Sequence, residues 1–131
     1  MESPQKTPLI MVVEPDILIR MVISNHLRSC GYRVLECAAA RDVHAALAAD
    51  MPIDCVFAEV QLPGTEDGFS LAKRLRETHP HLDVILTTGI GSAAEKSLEL
   101  CERNGVVRKP YQARDIEARI RSLLERRENL E

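Results

Sequence analysis

Aromatic side chains are scarce in this chain. There is no tryptophan, and phenylalanine and tyrosine occur twice each among 131 residues. The core must therefore be built from Leu, Ile, Val and Ala, each of which gains stability when its apolar area leaves water. Charge of one sign is also missing. A formal net charge of -3 gives no general attraction to nucleic acid or to anionic lipid, so neither is expected as a partner of the domain by itself. Four cysteines, Cys30, Cys37, Cys55 and Cys101, contain no C-x-x-C pair. That spacing fits neither a zinc site nor a disulfide framework, and the expectation is small buried residues in a reducing cytosol. No apolar run approaches the length of a membrane span. Residues 1–8 are polar with two prolines, which does not read as a signal peptide. The expected location is cytoplasmic.

What is present is a hydrophobic content of 45%, ordinary for a folded domain. The chain is long enough for one domain to bury its own core without staples. Residues 1–8 read as a loose tail. Residues 9–13, LIMVV, form an unbroken apolar run of strand length, as a strand buried on both faces requires. The run ends on Glu14, Pro15 and Asp16, and proline flanked by acids suits a helix start. That helix runs to about Cys30, where Gly31 stops it.

The remaining chain repeats the alternation. Residues 32–37, YRVLEC, make a second, more exposed strand. A second helix covers 41–50 with Val43, Ala46 and Leu47 on one face, closed by Pro52. The third strand, 53–58, leads into Glu59 and a loop with Pro63, Gly64 and Gly68. A third helix over 67–78 turns Leu71, Ala72 and Leu75 inward. The fourth strand, 82–87, is followed by Thr88 and Gly89. Ser92 and Glu95 have the spacing of a capping box for a helix over 92–103. A short strand over 106–108 precedes Lys109 and Pro110, and a last helix covers 113–127. Its apolar stripe is Ile116, Ile120, Leu123 and Leu124, and its other faces are charged. The four histidines share no spacing and read as surface residues.

Strands alternating with helices make right-handed parallel βαβ units. The expected fold is α/β: a flavodoxin-like, doubly wound (β/α)5 parallel sheet with strand order 2-1-3-4-5. Such sheets bind ligands at the carboxyl ends of their strands. Several strands end there in reactive types: Glu14 and Asp16, Glu59, Thr87 and Thr88, and Lys109. Acids suit a hard cation such as Mg²⁺, whereas a hydroxyl and an ammonium suit a phosphoryl group. No nucleophile is paired with a base, so an independent enzyme is not expected.

VVEPDILIR after the first strand, AEVQLPGTEDGF after the third, ILTTG at the fourth and VVRKPY at the fifth occur in one order over about residues 9–124. In these pieces the chain resembles the receiver domains of bacterial two-component response regulators. The resemblance implies a domain over 9–127, with 128–131 a C-terminal tail or an appended remnant. It implies a phosphoacceptor position at Glu59, phosphoryl contacts from Thr88 and Lys109, and a cis-proline candidate at Pro110. It also implies protein partners, a histidine kinase or a downstream output protein, on the face of the fourth helix, fifth strand and fifth helix. Leu100 is a candidate contact there. A monomer or weak homodimer is expected.

The departures fall at the chemistry. The family has Asp where this chain has Glu59, and an acidic pair where it has Glu14 and Pro15. Val106 stands where many receivers have an aromatic switch residue, and the loop QLPGTEDG is one residue longer than the commonest form. Glu59 exceeds Asp by one methylene, roughly 1.5 Å. A misplacement of about 1 Å can cost on the order of a hundredfold in rate. Pro15 removes a metal ligand, leaving Glu14, Glu59 and Gln61 as a weak set. No cofactor is expected with certainty, and Mg²⁺ only weakly. The expectation is a degenerate receiver in which Glu59 replaces or mimics phospho-aspartate and pairs with Lys109 and Thr88. The alternatives are a phosphorylatable receiver with an unusual Mg²⁺ site and, more remotely, a flavodoxin-like binding module. The second lacks support, because Glu14 and Asp16 stand where a phosphate loop would be.

Overall fold

Strands without polar alternation have to be covered on both faces, and the fold does this with one sheet between two helical layers. A computed structural model describes residues 7–88, 106–108 and 111–130. The strands are β1 (Leu9–Val13), β2 (Arg33–Cys37), β3 (Cys55–Glu59), β4 (Asp83–Thr88) and β5 (Val106–Arg108). The helices are α1 (Ile17–Ser29), α2 (Ala40–Ala48), α3 (Gly68–Thr78) and α4 (Ala113–Leu130). All strand pairs are parallel. The body of the sheet runs β2-β1-β3-β4, and the short β5 lies on the outer side of β4. The helix expected over 92–103, with Leu100, lies outside the described residues.

The period of two along each strand divides the core. Met11, Val13, Val56, Ala58, Val84 and Leu86 pack with Val43 of α2 and Leu71 and Leu75 of α3. Ile10, Val12, Cys55, Phe57 and Ile85 pack with Ile23 and Leu27 of α1 and with Ile116 and Ile120 of α4. The helical stripes read from sequence therefore turn inward. Each Val, Leu, Ile, Met or Phe among them contributes about 1.5–3 kcal/mol on full burial. No helix among the described residues is long and apolar enough to cross a membrane.

Several boundaries differ from expectation for local reasons. Helix α1 starts at Ile17, not at Pro15, because the Asp16 side chain caps it. Helix α2 ends at Ala48 because Asp50 takes a left-handed backbone, φ 57°, and the Met51 amide folds back onto the Ala46 carbonyl. Strand β3 includes Glu59, which pairs in register with Thr87 of β4. Helix α4 continues past Arg127 to Leu130.

Candidate functional site

The carboxyl ends of β1 and β3 deliver two acids into the protein. Glu14 follows β1 directly and is 2% exposed; Glu59, the last residue of β3, is 5% exposed. Glu14 keeps the strand direction through its amide, which donates to the Cys37 carbonyl at 3.0 Å. Its own carbonyl accepts from Arg20 Nη1 at 2.8 Å, and its Oε2 accepts from the Asp16 amide at 3.0 Å. The chain then turns outward, so Asp16 is exposed at the N-cap of α1. Its Oδ1 accepts from the Leu18 and Ile19 amides at 2.9 and 3.2 Å. Of the two acids flanking Pro15, Glu14 is the buried one and Asp16 serves the helix end.

Both oxygens of Glu59 are engaged. Oε2 accepts from the Thr87 hydroxyl at 3.2 Å, and Oε1 accepts from the Gln61 amide at 3.2 Å. The Glu59–Thr87 register explains the first contact: partners on adjacent parallel strands put their side chains on the same face. The resemblance points to Thr88; among the described side chains the hydroxyl that reaches Glu59 is that of Thr87, fully buried one residue earlier. Thr88 is aligned with Arg108 in β5, and Val106 with Leu86. The side chains of Thr88 and Val106, together with Lys109 and Pro110, lie outside the described residues. The expected Glu59–Lys109 pair lies outside them too. The Gln61 side chain is exposed, and it is this residue's amide that serves Glu59.

Gly68 makes the approach behind the site possible. A Cβ on it would stand 2.6 Å from the Glu59 carbonyl oxygen and 2.7 Å from Val60 Cα. Only glycine lets α3 begin this close to the end of β3, where the Gly68 amide donates to the Val60 carbonyl at 2.7 Å.

One member of the site escaped the sequence reading. Tyr111, just after Lys109 and Pro110, stacks edge-on against Phe57 with ring centroids 5.9 Å apart. Burial pushes its phenol pKa up, and the Glu14 and Glu59 carboxylates push it further in the same direction. Its hydroxyl is shielded from solvent. In the sequence Tyr111 stood only as the last residue of VVRKPY, with no role of its own.

A divalent cation at these strand ends needs several oxygen ligands. Among the described residues no group of three or more His, Cys, Asp or Glu side chains is placed to hold one. Pro15 offers no carboxylate, and Asp16 is turned to the helix cap.

The comparisons agree with this architecture. The family model described as the response regulator receiver domain matches residues 10–121. The chain is 34% identical over 122 residues to the probable transcriptional regulator ycf27 of Cyanophora paradoxa, covering 92% of this chain and 49% of that protein. It is 30% identical over 126 residues to the aerobic respiration control protein ArcA of Escherichia coli K12, covering 95% and 52%. The chain thus spans about half the length of the curated relatives it matches. A CheY-like response regulator receiver domain protein from Methanospirillum hungatei JF-1 superposes with a TM-score of 0.85 at 22% identity, over 96% of this chain and 100% of that one. That likeness speaks for the fold. With the family match running from within β1 into α4, the chain belongs to the response regulator receiver domains, the receiving modules of two-component signalling.

Proposed function

We propose that this receiver signals by protein–protein contact without ordinary phosphorylation, and that Glu59 stands in for the phosphorylated aspartate of the family. The observation that carries the reading is the buried Glu59 carboxylate with the Thr87 hydroxyl on one oxygen and the Gln61 amide on the other. A carboxylate satisfied on both sides is held in place and poorly disposed to attack phosphorus in line. The same geometry supplies the hydroxyl contact that a phosphoryl group would receive. The imitation is partial: a carboxylate has one charge and two oxygens, against about -1.5 to -2 and three oxygens for a phosphoryl group. On this reading the domain needs neither a bound cation nor chemistry of its own to act. The partners proposed are a histidine kinase or an output protein in the cytoplasm, met on the face formed by β5, α4 and the helix expected between β4 and β5. The domain meets them as a monomer or weak homodimer. The names of the relatives point to control of transcription as the eventual output.

Incubation with acetyl phosphate and Mg²⁺ tests the reading by intact mass, which is expected to stay unchanged. A phosphoryl group found on Glu59 would sink it. One observation favours the alternative of a phosphorylatable site: Glu14 and Glu59 are both buried acids at the carboxyl ends of the adjacent strands β1 and β3. Calorimetric titration with Mg²⁺ separates the two, since millimolar binding that disappears in Glu14→Gln supports the alternative.

A further inference from the structure

The loop between β3 and α3 is closed at its base and tied down near its far end. At the base, the Val60 amide donates to the Thr87 carbonyl at 2.9 Å and the Gly68 amide donates to the Val60 carbonyl at 2.7 Å. Near the far end Glu66 turns inward, its side chain only 15% exposed. Its Oε1 meets His44 Nε2 of α2 at 2.9 Å and accepts from Arg74 Nη1 of α3 at 3.2 Å. Its Oε2 is shielded from solvent and has no hydrogen-bond partner among the described residues. Partial burial of a carboxylate costs free energy unless it is paired, and here the pairing comes from two different helices. His44, expected at the surface, is half-buried instead.

This loop also carries Gln61, whose amide holds Glu59 Oε1. Two anchors therefore bracket it, one on the strand-end carboxylate and one between α2 and α3. We infer that His44, Glu66 and Arg74 form a brace that holds the β3–α3 loop in one conformation and thereby keeps the Gln61 amide on Glu59. The brace places the order of the site under the control of α2 and α3. A partner that draws Glu66 out of its contacts releases the Gln61 amide. The inference stands whether or not Glu59 takes phosphate.

Amide hydrogen exchange by NMR on the full chain tests it, comparing the wild type with Glu66→Ala and Arg74→Ala. In Glu66→Ala the Gln61 amide is expected to exchange about tenfold faster or more, with β1 and β3 amides unchanged, as a local opening requires. In Arg74→Ala, a change at a side chain 61% exposed, a smaller acceleration confined to the loop is expected. Loop exchange equal to wild type in both variants overturns the brace, and so does an equal acceleration in β1 and β3. If Glu66→Ala does not fold, Arg74→Ala decides alone: loop-selective acceleration supports the brace and its absence overturns it. Acetyl phosphate labelling of the same variants reports separately on Glu59, so failure of one reading leaves the other measurable.

Discussion

The Thr87 hydroxyl is fully buried and donates to the Glu59 carboxylate. A hydrogen bond to a charged group in such a place contributes more than a neutral one, because its loss leaves a charged oxygen poorly solvated. Thr87→Val keeps the shape and removes only the donor. It is expected to lower stability by about 1.5–3 kcal/mol in urea unfolding at neutral pH. No change would show that Glu59 is held by its other contacts alone. The cysteines make a second case at this scale. Cys30 is exposed, whereas burial, with Asp42 adding to it, pushes the Cys37 thiol up to about 12. Burial pushes the Cys55 thiol up as well. Brief alkylation of the native protein at pH 8 is expected to modify Cys30 and to spare Cys37 and Cys55, read by peptide mass. The expectation that every cysteine is a buried apolar residue fails at Cys30, which lies past the last turn of α1, where the chain turns at the surface.

Two element ends are set by single residues. Asp16 caps α1 through two backbone amides, so Asp16→Ala is expected to cost about 0.5–2 kcal/mol in chemical denaturation, while Asp16→Asn costs little. A comparable loss in both variants would instead place the charge itself in the site. Behind the end of β3, Gly68 admits no side chain. Gly68→Ala drives a Cβ into the Glu59 carbonyl and Val60 Cα, both rigid backbone. A loss of about 1–3 kcal/mol is expected, with the chemical shifts of Glu59 and Val60 among those that move most. The element pattern itself was open to reading from sequence, since LIMVV and CVFA have strand length and Leu71, Ala72 and Leu75 have helix spacing. The ends were less open, because a cap or a left-handed residue such as Asp50 decides them within a residue or two.

For the whole molecule, the buried acids with raised pKa values set a response to alkali. The Cys37 thiol is moved from 9.0 to about 12, and Tyr32 and Tyr111 are also raised, burial being the largest cause for each. Above the ordinary thiol range the unfolded chain has lost protons that the folded chain retains, so the folded state binds more protons. Stability is therefore complete below about pH 9 and falls as pH rises towards 12. Urea midpoints at pH 8 and pH 10.5 check this: the midpoint is expected to drop, and a flat profile would mean that these groups open locally before they ionise.

Composition, the apolar runs and their spacing determined the class of fold, the inward helical stripes and the end of the sheet where the site had to be, because burial and periodicity are local properties of a chain. The strand-end acids were visible for the same reason: Glu14 and Glu59 each follow an apolar run. Tertiary structure alone decided which neighbours they meet. Register across β3 and β4 chose Thr87, and the turn after β1 sent Asp16 to a helix cap. Tyr111 came to the two carboxylates by packing on Phe57, and Glu66 came between His44 and Arg74. Each of these depends on contacts between distant parts of the chain, whose distances and directions are fixed only when the two helical layers close on the sheet.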